Sequence, residues 1–350
     1  NYNDTTATFD VLVNDINGVG SISNIYLYKG SELISKVNST NYELTNLISN
    51  TTYKLVVEYI YDLSNGLGSQ KITDEVEFTT LKTKPSLVIE NSVITETSIK
   101  VNPTITDTNS CGKLEKIELY LNNELVSSLT EGYLFEGLLS NTRYEVKCYY
   151  TYDINLGSET LVVSKEIMTN AKEAPTVDVQ LEANKNSITY KVLNDSAKIT
   201  KVELLRNGAL ISTLNEVEGL FESLLSNNEY SVKVSYTYDL NEGNGLSSSY
   251  ITKTIKTKAL VAPTVGVKNS ILSDTNITGM VVVSDIDKTY TLTSINLYQN
   301  DILLSTTNES NYSFQVAANT TYKLVVEYAY NLGDGNGEVN ATYEVELTSA

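Results

Sequence analysis

The amino-acid sequence predicts an all-β protein made of four tandem copies of one seven-stranded antiparallel β-sandwich. A stretch of the form Leu/Val-x-x-Asn-x-x-Tyr occurs four times in 350 residues, and its anchor tyrosines are Tyr53, Tyr144, Tyr230 and Tyr322. A second observation is the near-equal spacing of three of the four prolines, Pro85, Pro175 and Pro263. A period of about 90 residues is too long for a solenoid repeat and suits a small independent domain.

The residues after each anchor tyrosine predict a half-buried β-strand. Every second residue from Tyr53 to Tyr61 is apolar or aromatic, whereas the residues between them vary. Such period-two alternation is typical of a strand with one face on a core and one in water. Each copy also has an asparagine three residues before its tyrosine, where a left-handed backbone would turn the chain into the strand. These residues are Asn50, Asn141, Asn227 and Asn319.

The remaining segments of each copy complete the predicted seven strands. A first strand such as Ser86–Glu90 follows each boundary proline, and a second strand such as Thr97–Val101 comes next. The third strand carries an apolar pair such as Ile25 and Leu27, and it ends in a two-residue hairpin signal. The four signals are Lys29-Gly30, Asn122-Asn123, Asn207-Gly208 and Asn300-Asp301.

The repeated stretch resembles the tyrosine corner of Ig-like sandwiches, because the spacing from leucine to tyrosine leads directly into a strand of alternating apolar residues. The copies are most similar to the fibronectin type III domain, and the resemblance covers all four. It implies a structural role for the four anchor tyrosines. The chain departs from the family pattern in having no tryptophan, a residue that family members commonly carry on the second strand.

Division at the prolines predicts domains at residues 1–84, 85–174, 175–262 and 263–350. The intervening linkers are short and contain no glycine, which predicts semi-rigid connections. A proline precedes the anchor tyrosine by 55 to 59 residues in the last three copies, whereas Tyr53 has only 52 residues before it. We therefore expect the first copy to lack its opening strand and the chain to be an excerpt from a longer repeat array.

Composition excludes several classes of function. The net charge is −18, from 43 acidic and 25 basic residues, which argues against a nucleic-acid partner. The absence of histidine removes the commonest general base and metal ligand. No nucleophile–base pair and no phosphate-binding glycine loop is recognisable. No apolar run approaches the ~18 residues of a membrane span. The sequence predicts a non-enzymatic protein without a cofactor.

Two acidic, glycine-rich turns are candidates for calcium binding, since hard cations take several closely spaced oxygen ligands. Their candidate ligands are Asp239, Asn241, Asn244, Asp334 and Asn336. No glutamate follows at the distance that a complete calcium loop requires. The alternative interpretation is a hairpin turn in which asparagine and glycine adopt positive φ.

Two further groups of residues have both a functional and a structural interpretation. Cys111 and Cys148 form a disulfide or remain free thiols, and Cys148 is predicted to face the core. The third-strand tyrosines Tyr28, Tyr120 and Tyr298 either form a stacking face for glycans or take part in cross-strand packing.

The sequence therefore favours non-catalytic spacer repeats of a larger extracellular surface protein, adhesin-like and of bacterial or phage origin. Its expected partners are neighbouring repeats of the same protein. One alternative is a module that binds a host protein or a glycan. Another is a phage or filament component, exposed on a virion, in which a neighbouring chain supplies the absent first strand.

Overall fold

The computed structural model describes residues 1–37, 40–90 and 92–350, and all regular secondary structure within them is β-strand. This confirms the all-β class. Contacts divide the chain into two units. The first comprises Asn1–Lys172 together with Asn241–Asn244, and the second comprises Glu173–Leu240 together with Gly245–Ala350. Below, the four sequence copies are called repeats one to four.

Repeat one contributes six strands to the first unit. They are β1 (Ala7–Asp10), β2 (Gly20–Lys29), β3 (Glu32–Val37), β4 (Asn41–Leu44), β5 (Thr52–Tyr61) and β6 (Gln70–Thr79). The strand order β3-β2-β5-β6 forms an antiparallel four-stranded sheet, and β1 pairs with β4 in a smaller sheet.

Repeat two contributes nine strands to the same unit. They are β7 (Ser86–Ile89), β8 (Val93–Ile94), β9 (Ile99–Lys100), β10 (Pro103–Thr106), β11 (Gly112–Leu121), β12 (Glu124–Leu129), β13 (Leu134–Phe135), β14 (Arg143–Asp153) and β15 (Ser158–Met168). The large sheet has the order β12-β11-β14-β15, and the smaller face is formed by β13-β9-β8 and β10-β7.

Repeats three and four form the second unit with seven strands each. Repeat three has β16 (Val177–Ala183), β17 (Ile188–Asn194), β18 (Lys198–Arg206), β19 (Ala209–Leu214), β20 (Glu218–Phe221), β21 (Glu229–Tyr238) and β22 (Ser247–Lys256). Repeat four has β23 (Thr264–Leu272), β24 (Asn276–Ser284), β25 (Tyr290–Gln299), β26 (Ile302–Thr307), β27 (Asn311–Gln315), β28 (Thr321–Asn331) and β29 (Glu338–Thr348). Their sheets have the orders β19-β18-β21-β22 with β16-β17-β20, and β26-β25-β28-β29 with β23-β24-β27.

Repeat one has six strands, the number expected for a copy without its opening strand, whereas repeat two has nine rather than seven. The expected second strand of repeat two, Thr97–Val101, contains β9, and the additional strands are β8 and β10. β10 begins at Pro103, which has no N–H to donate to a ladder. The alternation that defines each sandwich is unaffected by the additional strands.

Each repeat encloses its core between the two faces. Along β14 the side chains of Tyr144, Val146, Cys148 and Tyr150 are buried while the residues between them are less so, which confirms the period-two prediction. The predicted inward position of Cys148 is also confirmed, with 0% of the residue exposed. The four corner asparagines have φ between 47 and 52°, as the left-handed turn requires.

Candidate functional site at the corner loops and linkers

The four anchor tyrosines tie the loop before each long strand to the sandwich. Each hydroxyl accepts a hydrogen bond from the backbone amide five residues earlier, at 2.8 to 2.9 Å. The donor–acceptor pairs are Ile48–Tyr53, Leu139–Tyr144, Leu225–Tyr230 and Ala317–Tyr322. The bond fixes the path of this segment, here called the corner loop, at one end of each repeat.

A buried hydroxyl at the end of each last strand holds the corner loop from the other side. In repeat three the Thr257 hydroxyl donates to the Leu225 carbonyl at 2.6 Å and accepts from the Asn228 amide at 3.0 Å. The equivalent residues are Thr80, Thr169 and Ser349, and all four are at most 4% exposed. Sequence reasoning missed this group, although a threonine or serine directly follows the last strand of every copy.

In the first unit, the linker between repeats one and two is bonded to a side chain of repeat two. The Thr83 amide donates to the Asn109 side-chain oxygen at 2.7 Å. The Asn109 amide group in turn donates to the Ser49 hydroxyl, in the corner loop of repeat one, at 3.2 Å. One neutral side chain thereby connects the linker, the corner loop before it and the repeat after it.

The lysines of this linker make further contacts with repeat two. Lys82 donates to the Asp153 carbonyl at 3.4 Å. The Lys84 amine lies 5.6 Å from the centre of the Tyr152 ring and 3.9 Å from the Glu159 carboxylate. The pKa of Lys84 is raised, mainly by its hydrogen bond with the Tyr152 hydroxyl and secondly by the charge of the Tyr152 side chain. These exposed contacts are individually weak, and they add to the bond made by Thr83.

In the second unit, an acidic residue has the position that Asn109 has in the first. The Val261 amide, two residues before Pro263, donates to the Asp287 carboxylate at 2.7 Å. The same carboxylate accepts a hydrogen bond from the Lys185 amine of repeat three. The Asp287 side chain is 5% exposed. Its pKa is lowered first by the bond from Lys185 and then by the bond from Val261.

The glycine-rich turn of repeat four packs against the corner loop of repeat three. The Ser226 amide donates to the Gly333 carbonyl at 2.9 Å, and its hydroxyl donates to the Leu332 carbonyl. The Asn228 side chain donates to the Asp334 carbonyl at 2.8 Å. Gly333 has φ of +64°, and a Cβ there would lie 3.4 Å from Leu260. The turn therefore presents its backbone carbonyls to the neighbouring repeat.

Four of the five calcium candidates are engaged in local and loop contacts in the structure. The Asp334 carboxylate accepts from the Asn336 amide and side chain at 3.0 and 2.9 Å. In the first unit, the Asn241 side chain donates to the Leu138 carbonyl at 3.0 Å. Asp239 also has an interaction partner, and Asn244 is exposed at the tip of its turn. Within the described ranges no three His, Cys, Asp or Glu residues cluster as metal ligands would. Calcium binding remains a prediction.

The tyrosines considered for glycan stacking differ in their surroundings. Tyr120 lies under the Lys147 amine at 4.6 Å from the ring centre, and Tyr298 lies 5.8 Å from Lys323. The Tyr120 hydroxyl donates to Glu118 at 2.7 Å. A hydrogen bond from Lys116 lowers the pKa of Glu118 to about 2.

Tyr28 packs beside Tyr26, with ring centres 6.2 Å apart. Lysines on the neighbouring strand therefore contact Tyr120 and Tyr298, as cross-strand packing predicts, whereas the ring beside Tyr28 is on its own strand.

Both cysteines are free thiols in the structure. Burial raises the pKa of Cys148 to about 11, which suits a core residue. The Cys111 thiol faces the linker and contacts the Thr83 carbonyl at 3.9 Å.

Comparison with known proteins gives structural resemblance only. No family model and no curated protein matches the chain. Titin domains A168–A170 are similar over 76% of this chain and 98% of theirs, at 13% identity and a TM-score of 0.23. The chicken CNTN1 FN1–FN3 domains match over 75% of this chain and 98% of theirs, at 17% identity and a TM-score of 0.22. Fibronectin(III)-like modules of Clostridium thermocellum CbhA match 49% of this chain and 94% of theirs, at 19% identity and a TM-score of 0.18.

The described part of the chain also has no helix with the length and apolar character needed to cross a bilayer.

Proposed function

We propose that the chain is a non-catalytic spacer made of four fibronectin type III-like modules, with boundaries near Pro85, Pro175 and Pro263. The observation that carries this proposal is the hydrogen bonding of the linker backbone within each unit. A spacer transmits force and keeps distance only when its connections are not loose coil.

The linker of the first unit is bonded to both of the repeats that it joins. The Leu81 amide donates to the Asn3 carbonyl of repeat one at 3.0 Å, and the Leu81 carbonyl accepts from the Asn50 amide at 3.0 Å. Two residues later, the Thr83 amide donates to Asn109 of repeat two. Breaking backbone hydrogen bonds of this kind costs free energy, so the linker is held in one conformation.

The linker of the second unit follows the same plan. The Lys258 amide donates to the Asn184 carbonyl at 3.0 Å, and the Lys258 carbonyl accepts from the Asn227 amide at 3.3 Å. The Val261 amide then donates to Asp287 of repeat four. The recurrence of the plan in two linkers of different sequence supports a structural role for both.

The surface chemistry fits an extracellular spacer on a bacterial cell or a virion. A net charge of −18 favours solubility and repulsion between neighbouring molecules. Neighbouring repeats of a larger, adhesin-like surface protein would be its partners. A host protein or glycan partner finds less support, because the rings of Tyr120 and Tyr298 already contact lysines.

Single-molecule force spectroscopy of the whole chain tests the proposal. Four modules of about 90 residues predict four unfolding events, each releasing about 30 nm of chain at roughly 3.5 Å per residue. Two events of twice that length would contradict the four-module division. Unfolding without a measurable force peak would contradict the mechanical role.

A further inference from the structure

The two edge strands of each large sheet in the second unit differ in chemistry. In repeats three and four one edge is β22 or β29, and the other is β19 or β26. Strand β22 carries Lys253 and Lys256, and β29 carries Glu338, Glu344 and Glu346. The sequences of β19 and β26, ALISTL and ILLSTT, contain no charged residue. Strands β19 and β26 are called the uncharged edges below.

The other large-sheet edges of the described chain all carry charge. In the first unit, the strands equivalent to the uncharged edges are β3, which contains Glu32 and Lys36, and β12, which contains Glu124. Charged side chains on an edge strand are a common protection against pairing with another chain. The uncharged edges lack this protection.

Each uncharged edge pairs with its own sheet on one side only. Strand β19 pairs with β18, and β26 pairs with β25. No strand that the structure describes pairs with the other side of either one. An edge of this kind presents a row of backbone N–H and C=O groups that can template a further strand.

A register shift in β19 leaves one aliphatic residue without a cross-strand partner. Ser212 pairs with Leu204 and Leu210 pairs with Leu205, so Ile211 has no partner on β18. Ile211 is 46% exposed and Leu210 is 58% exposed. Two neighbouring aliphatic side chains are therefore open to solvent at this edge.

The same register shift occurs in β26. Leu304, between Leu303 and Ser305 on the strand, has no partner on β25. It is 49% exposed, and Leu303 and Ile302 are 50% and 66% exposed. Burying these side chains against another molecule would stabilise a complex through the hydrophobic effect.

The charge of the chain indicates which partner fits the uncharged edges. Each copy has a net charge of −18, and like charges placed side by side oppose association. Two copies can meet at the uncharged edges without bringing carboxylates of the edge strands together. A second copy also presents two such edges, so contact at one raises the effective concentration of the other.

We propose that two copies of this chain associate side by side through the uncharged edges, which pair antiparallel and bury Ile211 and Leu304. A contact between identical surfaces is self-complementary about a two-fold axis. Backbone hydrogen bonds extend the sheets across the two chains. Because the register shift bends each strand and keeps the new ladder short, we expect a dissociation constant in the micromolar range.

Sedimentation equilibrium of the full chain tests the association. We expect the average mass to rise from 38.6 kDa toward twice that value between micromolar and near-millimolar concentration. High salt should raise the association constant by about threefold or more, because it screens the repulsion between the chains and leaves the aliphatic contact intact. A contact made by ion pairs would respond in the opposite direction.

Two double variants place the same two charges at equivalent positions of different edges. We expect Ile211→Lys with Leu304→Lys to lower the association constant by about tenfold or more, since the buried contact would have to desolvate lysine amines. The matched control is Ile34→Lys with Val126→Lys on β3 and β12, where these residues also lack cross-strand partners and are 45% and 47% exposed. It should associate at least as well as the wild type.

Hydrogen exchange of the wild-type chain at low and high protein concentration requires no substitution. We expect exchange to slow with concentration at amides of β19 and β26 and to stay constant at those of β3 and β12. This measurement locates the contact even where a lysine variant is poorly folded.

Four results would overturn the proposal. The first is a mass of 38.6 kDa at every concentration, which would leave the uncharged edges to a different partner. The second is association that weakens in high salt. The third is an equal loss of association in the two double variants, and the fourth is concentration-dependent protection of β3 and β12 in place of β19 and β26.

Discussion

The two linkers use the same hydrogen-bonding plan with different chemistry. In the first unit the Thr83 amide bonds to the neutral Asn109, which also contacts a serine. In the second unit the Val261 amide bonds to Asp287, whose carboxylate is paired with Lys185. In both linkers a backbone amide therefore donates a hydrogen bond to the side chain at the same position of the following repeat. Whether that side chain is neutral or charged decides whether the junction depends on pH and salt.

The largest loss of stability should come from removing the buried threonine hydroxyl that lies beside the linker in both units. We expect Thr80→Val and Thr257→Val each to lower the free energy of unfolding of their own unit by about 2 kcal/mol, because each leaves a buried amide and a carbonyl without the hydroxyl partner. Urea titration of the full-length variants measures the loss. Thr→Ser at either position is the control that keeps the hydroxyl. A loss in only one unit would show that the two junctions do not share this framework.

Removal of the side-chain acceptor should distinguish the charged junction from the neutral one. We expect Asp287→Ala to speed hydrogen exchange of the Val261 amide by roughly tenfold or more, since hydrogen bonds to charged groups are the stronger ones. Asn109→Ala should speed exchange of the Thr83 amide by about fivefold. The amide of Val326, in the core of repeat four, provides the internal reference. Equal changes at both linkers would remove the distinction.

The charged junction should depend on pH and the neutral one should not. The bond from Lys185 lowers the pKa of Asp287 below its ordinary value of 3.8. The stabilisation that the Lys185–Asp287 ion pair gives to the second unit is therefore complete above pH 3.8, and it is lost as the pH falls through the lowered pKa of Asp287. We expect the wild type to melt at a higher temperature than Asp287→Asn at pH 7, with a smaller difference at pH 3, below the ordinary value of 3.8.

The matching difference between the wild type and Asn109→Ala in the first unit should be the same at both pH values. A pH-independent difference for Asp287→Asn would contradict the ion-pair assignment.

The smallest effect should come from moving the charge pair into the first unit. Asp4 has the position of Lys185, because each follows a residue, Asn3 or Asn184, whose carbonyl accepts a linker amide. We expect Asn109→Asp to lower the melting temperature of the first unit by about 1–3 °C, and added Asp4→Lys to restore it. Calorimetry in low and high salt measures both. A double variant less stable than Asn109→Asp would show that the two linkers differ in geometry.

Much of the fold followed from the sequence, because the signals involved are local. Alternation after Tyr144 predicts that Cys148 lies in the core, and the need for positive φ explains the asparagine at position 141; the structure shows both. Asn300 and Asp301 likewise have φ of 46 and 62° in their two-residue turn.

The junctions were not predictable from the sequence in the same way. Asn109 and Thr83 are 26 residues apart. An asparagine in a loop carries no sequence signal that would predict a hydrogen bond with a linker amide. The glycine-rich turn of repeat four predicts a calcium loop or a hairpin turn, and it does join β28 to β29 as a hairpin. That its carbonyls also accept bonds from Ser226 and Asn228 is not predictable from the turn itself. Such contacts depend on how two repeats meet, which periodicity does not encode.

Hydrogen exchange at the Thr83 and Val261 amides of the unmodified chain tests the central claim most directly. The bonded linkers predict exchange slower than in an unstructured peptide by a factor of about 100 or more at both amides. Exchange at the unstructured rate at either amide would mean that the linker is a free tether, and it would contradict the account of hydrogen-bonded junctions.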